Sequence, residues 1–197
     1  MRIDDYLVAW GVIPQGNETS KIVAQLQGEL GNIPTDVGGY LRELYEEGIE
    51  RRSQSSGTLF EYLIVSTFKK LGLTPFAYKA QLKPIPGIVW DIVFWNPKTS
   101  QPLVLFLTSS IRERYQLADA QAFRLKHSYP GAQMYLVSMG QKEVAVLSDK
   151  PFESLDGILF PDSKEFEQLV AKLQAIPRSQ LSNDAIHGVI HNGRFIY

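Results

Sequence analysis

The chain has 197 residues, of which 44% are hydrophobic, and its formal net charge at pH 7 is −1. This length suits one domain of ordinary size with a small appendage, and the apolar fraction suffices for a packed core. Both observations argue against a disordered chain. The sequence has no cysteine, which excludes a disulfide framework, a thiolate zinc site and a cysteine nucleophile.

No membrane-spanning or secretory segment is predicted from this sequence. The first ten residues contain two aspartates and no long apolar run, unlike a signal peptide. The longest apolar stretch, residues 87–95, is about half of the ~20 residues that a membrane helix needs, and it contains an aspartate. We therefore expect a cytoplasmic protein with no membrane partner, and the lack of cysteine fits a reducing compartment.

The near-neutral total hides an uneven distribution of charge. Residues 1–50 carry three basic and nine acidic side chains, whereas residues 51–130 carry eleven basic and four acidic ones. A basic surface formed by the middle of the chain can bind a phosphate backbone even though the whole chain is not basic.

The N-terminal part is predicted to be helical. A first helix is capped within residues 17–20 and runs to about Leu30, and a second is capped by Thr35 or Asp36 and ended by Gly48. The second helix is rich in glutamate and would repel phosphate, so a packing or dimerisation role is expected for it.

The rest of the chain is predicted to be an α/β domain. Helices are expected at 59–72, 111–128 and 163–176, and strands at 75–83, 88–95, 102–110 and 132–139, with a possible fifth strand at 143–148. Near the C-terminus, Asn192-Gly193 lies between two β-prone runs and predicts a terminal β-hairpin. We expect a helical extension at 1–56 and a mixed sheet flanked by helices at 57–197.

Two acidic residues lie where apolar residues are expected. Glu61 falls on the apolar face of its helix, and Asp91 interrupts an apolar strand, on the same side as Val93 and Trp95 by period-two alternation. An ionised carboxylate in such surroundings is costly unless it is paired, protonated or bound to a metal. The alternatives are a helix-edge acid for Glu61, and an aspartate satisfied by amides or a salt bridge for Asp91.

A third feature is the segment TSSIRERYQLADAQAFRLK, residues 108–126, in which a strand runs into a helix. Arg112, Gln116 and Asp119 are expected to project from one side of that helix, with Arg114 nearby. Two arginines at a helix start can bind phosphates through paired hydrogen bonds. The alternative is a solvated helix face.

This order of elements resembles the PD-(D/E)XK nuclease superfamily, which has the restriction-endonuclease-like fold. The shared order is a helix with Glu61, a strand, a strand with Asp91, a strand ending at Thr108, a helix and a strand. Segment 108–126 is similar to that of type II restriction endonuclease-like proteins with a TSLRERY-type motif. The resemblance covers about residues 57–140. It implies a restriction-endonuclease-like α/β fold, with the N-terminal helices and the C-terminal hairpin outside it.

The resemblance also implies a site. In that superfamily a strand aspartate binds Mg²⁺, a helix glutamate supports the metal, and an acid and a lysine two residues apart lie on the next strand. Asp91 matches the aspartate and Glu61 the glutamate, which makes both candidate catalytic residues and metal ligands.

The chain departs from this pattern on the third strand. Leu105 and Leu107 occupy the positions of the second acid and the lysine. Lys79 or Lys83, on the preceding strand, could supply the ammonium group instead, and we take Lys79 as the catalytic candidate. An apolar pair at these positions is otherwise explained by a degenerate active site.

Three functions follow from these observations. The first is a nuclease-derived, DNA-associated protein with a degenerate active site and no cofactor. The second is an active Mg²⁺-dependent endonuclease with a relocated lysine. The third is a protein-interaction module that retained only the fold. For the first two the expected partner is duplex DNA, bound through Lys83, Arg112, Arg114 and Arg124, and a homodimer would suit its two-fold symmetry.

Overall fold

A computed structural model describes residues 17–29, 32–51, 55–112, 114–147, 150–177, 189–191 and 193–197. The helices are α1 (Glu18–Glu29), α2 (Val37–Glu50), α3 (Ser56–Lys70), α4 (Arg114–Ser128), α5 (Gln141–Leu147) and α6 (Lys164–Gln174). The strands are β1 (Phe76–Leu82), β2 (Ile85–Asn96), β3 (Gln101–Thr108), β4 (Gln133–Ser138), β5 (Gly157–Leu159), β6 (Ile190–His191) and β7 (Arg194–Ile196).

The strands form one mixed, open sheet in the order β5-β4-β3-β2-β1, with β6 and β7 along the outer side of β1. Neighbours β1, β2 and β3 are antiparallel, whereas β4 and β5 continue parallel to β3. One face of the sheet packs against α1, α2, α3 and α6, and the other against α4 and α5. The predicted α/β class, a mixed sheet flanked by helices, is confirmed.

The first two helices begin at the predicted capping residues. Asn17 Oδ1 accepts a hydrogen bond from the backbone N–H of Thr19 at 2.9 Å, and Asp36 Oδ1 accepts one from Gly39 at 2.7 Å. These bonds satisfy N–H groups that the first turn of a helix leaves unpaired. The helical prediction for this region is confirmed for the described residues, and Asp36 is the cap of α2.

The N-terminal helices share a core with α3, and a division of the chain at residue 56 stays a prediction. Gly48 does not end α2, which continues to Glu50. A Cβ on Gly48 would lie 2.8 Å from Cδ2 of Leu59 in α3. This glycine therefore permits close helix packing, which local sequence cannot distinguish from a stop signal.

The possible fifth strand at 143–148 is wrong, because this segment lies in α5 up to Leu147. Val144 and Leu147 are buried at helical spacing, and Glu143 in the first turn accepts a 2.6 Å hydrogen bond from the backbone N–H of Ile111. The fifth position in the sheet belongs to β5, which the sequence pattern did not indicate.

The C-terminal hairpin is also wrong. Residue 192 lies outside the described residues, but the flanking strands β6 and β7 both pair antiparallel with β1 in a single register. The tail therefore runs along β1 as one interrupted edge strand and does not fold back on itself. Gly193 allows the edge strand to approach β1 closely, because a Cβ on Gly193 would lie 2.5 Å from the Cβ of Ala80.

Within the described ranges, none of the helices has the length and hydrophobicity that a membrane crossing requires.

Gly193→Ala should lower the free energy of unfolding by about 1–3 kcal/mol, because the added methyl overpacks the contact between the edge strand and β1. Urea unfolding followed by circular dichroism measures this change. The matched control is Gly28→Ala on the exposed side of α1, where a Cβ would have nothing within 4 Å. There the helix should gain up to about 1 kcal/mol. Equal stability of both variants would contradict the close approach.

Candidate active site

The candidate site lies where β2 and β3 separate. Backbone pairing between these strands ends at Ile92 and Leu105. Beyond this point the backbone N–H of Leu107 donates to Oδ2 of Asp91 at 2.7 Å. The carboxylate thus replaces the backbone acceptor that a continued ladder would provide. This explains how an aspartate is tolerated inside an apolar strand.

Asp91 also marks a change of face along β2. Trp90 belongs to the core on the α4 side of the sheet, whereas Ile92 belongs to the core on the α3 side. Regular alternation would put both on one side. The expectation that Asp91 shares the side of Val93 and Trp95 is wrong, because those two pack on the α4 side while Asp91 is linked to α3.

The link is Lys79 of β1. Its Nζ lies 2.5 Å from Oδ1 of Asp91 and 2.9 Å from Oε1 of Glu61 on α3. The side chains of Glu61 and Asp91 are 19% and 12% exposed, so both carboxylates are largely removed from water. The structure therefore brings together the three residues predicted as catalytic, and of the two candidate lysines it is Lys79 that joins the acids.

Asp91 and Glu61 stabilise the protonated form of Lys79. Burial lowers the pKa of the Lys79 ammonium, but the Coulombic attraction and hydrogen bonds of Asp91 and Glu61 outweigh burial and raise the pKa above its ordinary value. Lys79 is therefore a cation at neutral pH. It can neutralise carboxylates or attract a phosphate, but it cannot accept a proton.

Lys79 and Arg112 both have left-handed backbone conformations, with φ of 47° and 38°. Such conformations cost of the order of 1–3 kcal/mol for residues with a Cβ and tend to occur at functional sites. The register of the edge strand places Gly193 beside Lys79. The interruption of that strand thus coincides with the irregular backbone that presents the lysine.

Tyr78 is a site residue that the sequence did not reveal. Its hydroxyl donates to Oε2 of Glu61 at 2.7 Å, and the residue is 3% exposed. Burial and the adjacent Glu61 carboxylate raise the pKa of Tyr78 well above its ordinary value. The hydroxyl therefore stays protonated and holds Glu61 in one orientation. In the sequence, Tyr78 is marked only by its position next to the candidate Lys79. That position does not indicate which residue the tyrosine hydroxyl contacts.

The predicted phosphate-binding residues fall into two groups. Lys83 lies in the turn between β1 and β2, and Arg112 and Arg114 follow the end of β3, so strand direction brings these three to one end of the sheet. All three are exposed. Arg124 is ten residues beyond Arg114 on α4, about 15 Å along the helix axis, and does not join them.

Asp119 has a structural role. Its carboxylate accepts hydrogen bonds from the backbone N–H groups of Ser154 at 2.9 Å and Leu155 at 2.8 Å, and so fixes the loop before β5. On β3, Leu105 and Leu107 are buried in the core on the α3 side. Neither position contributes a polar side chain to the site.

The two carboxylates of Glu61 and Asp91 are of the chemical type that binds magnesium, and the Lys79 ammonium lies between them. Magnesium is commonly bound through one or two carboxylates and completed by waters and substrate phosphates. One oxygen of each carboxylate already lies within hydrogen-bond distance of a single small cation, the Lys79 ammonium. In the described part of the chain no group of three or more histidine, cysteine or acidic residues could hold a metal. A metal at this site would therefore depend on water and phosphate oxygens as well.

No protein-family model matches the chain, and neither does any curated protein. Among solved structures, the chain is similar to the crystal structure of the Type IIP restriction endonuclease Kpn2I. Sequence identity is 15% and the TM-score is 0.48, over 90% of this chain and 74% of that one. A likeness of this size does not extend to activity.

Tyr78→Phe should make the protein less sensitive to alkali. The native state keeps the Tyr78 proton at pH values where the unfolded chain releases it, so this residue contributes stability that is lost as pH rises above about 10. Tyr78→Phe has no ionisable group at this position, so it does not lose this stability at high pH. The difference in unfolding free energy between wild type and Tyr78→Phe should therefore shrink from pH 8 to pH 11, by about 1 kcal/mol per pH unit above pH 10. Tyr197→Phe controls for loss of an exposed tyrosine hydroxyl, and a pH-independent difference for Tyr78→Phe would contradict the buried hydrogen bond.

Proposed function

We propose that this protein hydrolyses phosphodiester bonds in duplex DNA with the help of Mg²⁺, using Glu61, Lys79 and Asp91. The observation that carries the proposal is the sharing of one lysine ammonium by two largely buried carboxylates at 2.9 and 2.5 Å. Of the groups that the resemblance implies, Asp91, Glu61 and Lys79 supply the strand aspartate, the helix glutamate and the lysine, whereas the position of the second acid is Leu105. Here the lysine comes from β1, because β3 carries leucine at the corresponding position.

Each side chain has a role that follows from its contacts. Asp91 and Glu61 would bind the metal, and Tyr78 and the N–H of Leu107 orient one oxygen of each. Mg²⁺, when bound, lowers the pKa of the attacking water and neutralises charge on the scissile phosphate. Lys79 remains protonated and stabilises the additional negative charge that develops on the phosphate oxygens.

The surface around the site supports DNA as the substrate. Lys83, Arg112 and Arg114 are exposed at the end of the sheet nearest the separation of β2 and β3. The 2.6 Å hydrogen bond from the Ile111 N–H to Glu143 fixes the connection that carries both arginines. Exposed cations on a fixed connection can bind successive phosphates of one strand.

Asp91→Asn and Lys79→Met should each reduce Mg²⁺-dependent cleavage of supercoiled plasmid. Asp91→Asn removes the charge that binds the metal, and Lys79→Met removes a charge at the phosphate, for which about 10²–10³-fold in rate is expected. Gel electrophoresis of nicked and linear products measures the rate. Lys98→Ala, in the turn at the far end of β2 and β3, is the matched control and should leave cleavage unchanged.

Lys79→Met also leaves two carboxylates facing each other, so its folding must be checked by circular dichroism. Lys79→Arg keeps the charge and provides a second variant that should fold. Magnesium-dependent cleavage by Asp91→Asn at the wild-type rate would overturn the proposal. So would cleavage that Lys79→Met and Lys79→Arg both leave intact.

A second function is favoured by a separate observation. All four oxygens of Glu61 and Asp91 already accept hydrogen bonds or ion pairs from Lys79, Tyr78 and Leu107. Such a saturated cluster would also be stable without metal, as expected of a DNA-associated protein with a degenerate site. Salt-sensitive gel shifts with no cleavage by the wild type would support this function. If the wild type shows neither DNA binding nor cleavage, the remaining function is the protein-interaction module.

A further inference from the structure

The C-terminal edge strand places a further cation beside the candidate site. In β7, Arg194 lies directly opposite Tyr78 of β1. Side chains at directly opposed positions of antiparallel strands lie on the same face of the sheet. Because the Tyr78 hydroxyl contacts Glu61 at 2.7 Å, Arg194 leaves the sheet on the α3 side, next to the residue that orients Glu61.

The burial of the neighbouring residues supports this orientation. Ile196, two positions along, is completely buried in the core on the α3 side, whereas Phe195 packs against the core on the other side. Arg194 shares the face of Ile196 by period two, but it is exposed. The strand is thus anchored by a buried residue while the arginine lies at its surface.

The position of Arg194 is also fixed by the backbone. The preceding residue, Gly193, approaches Ala80 so closely that a Cβ would lie 3.1 Å from its Cα. The same register continues in β6 on the other side of the interruption. Arg194 is therefore presented by a paired strand beside Lys79 and not by a loose tail.

We propose that Arg194 binds a phosphate of the DNA strand that enters the Glu61–Asp91 site. The planar guanidinium group forms paired hydrogen bonds with phosphate oxygens. In the order of the sheet, β7 lies beyond β1 on one side of Asp91, and β3 with the following arginines lies on the other. Arg194 on one side, and Arg112 and Arg114 on the other, would thus bind phosphates that flank the scissile phosphate. This inference rests on the proposed function, since it takes DNA as the substrate.

The test compares binding of a short DNA duplex by wild type and Arg194→Gln over a series of potassium chloride concentrations, without divalent metal. Loss of one phosphate contact should weaken binding about fivefold at low salt and reduce the slope of log K against log salt by about 1. Fluorescence anisotropy measures both quantities. Lys98→Gln removes an exposed cation from the far end of β2 and β3 and should change neither.

Arg194→Lys distinguishes a phosphate contact from a purely structural role, because it keeps the charge and should restore most of the salt slope. Unchanged affinity and slope for Arg194→Gln, with normal DNA binding by the wild type, would overturn this inference and leave the proposed function intact. A slope that Arg194→Lys fails to restore, although this variant melts at the wild-type temperature, would also overturn it. A wild type without salt-sensitive DNA binding would overturn both.

Discussion

The ammonium group of Lys79 is the interaction on which the candidate site depends. It pairs with both Glu61 and Asp91 across the boundary between α3 and the sheet, where both carboxylates are largely buried. Removal of one partner from a buried ion pair leaves an uncompensated charge, which is strongly unfavourable. The left-handed backbone at Lys79 and the close approach of Gly193 are the local features that accommodate this placement of the lysine.

Asp91 connects this charge cluster to the architecture of the sheet. One of its oxygens binds Lys79, and the other accepts the N–H of Leu107 where the backbone ladder of β2 and β3 has ended. The same carboxylate thus satisfies a backbone N–H beyond the paired part of the two strands and also belongs to the charge cluster. A substitution here affects folding and chemistry together, which is why the charge-preserving variants of Lys79 and Arg194 are the more informative ones.

The sequence was sufficient for features that depend on local pattern. Helical spacing, capping residues and the alternation of helices and strands predicted the α/β class, and the two acids in apolar surroundings, together with the resemblance, indicated the candidate site. It was not sufficient where distant segments meet. The change of face at Asp91 breaks the assumed regular alternation, and the choice between Lys79 and Lys83 depends on backbone geometry. Tyr78 contacts Glu61 through a hydrogen bond between β1 and α3, and Arg194 lies opposite Tyr78 through pairing of the C-terminal strand with β1. Asn192-Gly193 is a local sequence pattern typical of a hairpin turn. The role of Gly193 is instead a close contact with Ala80 of β1, which local sequence does not specify.

The most direct test of a cation site formed by Glu61 and Asp91 is a calorimetric titration of the full chain with magnesium chloride, alongside the Asp91→Asn and Glu61→Gln variants. A magnesium site formed by these two carboxylates requires saturable binding by the wild type that each substitution weakens at least about tenfold, as expected for loss of a carboxylate from the metal site. Wild-type protein that shows no saturable binding, or variants that bind as tightly as the wild type, would contradict it.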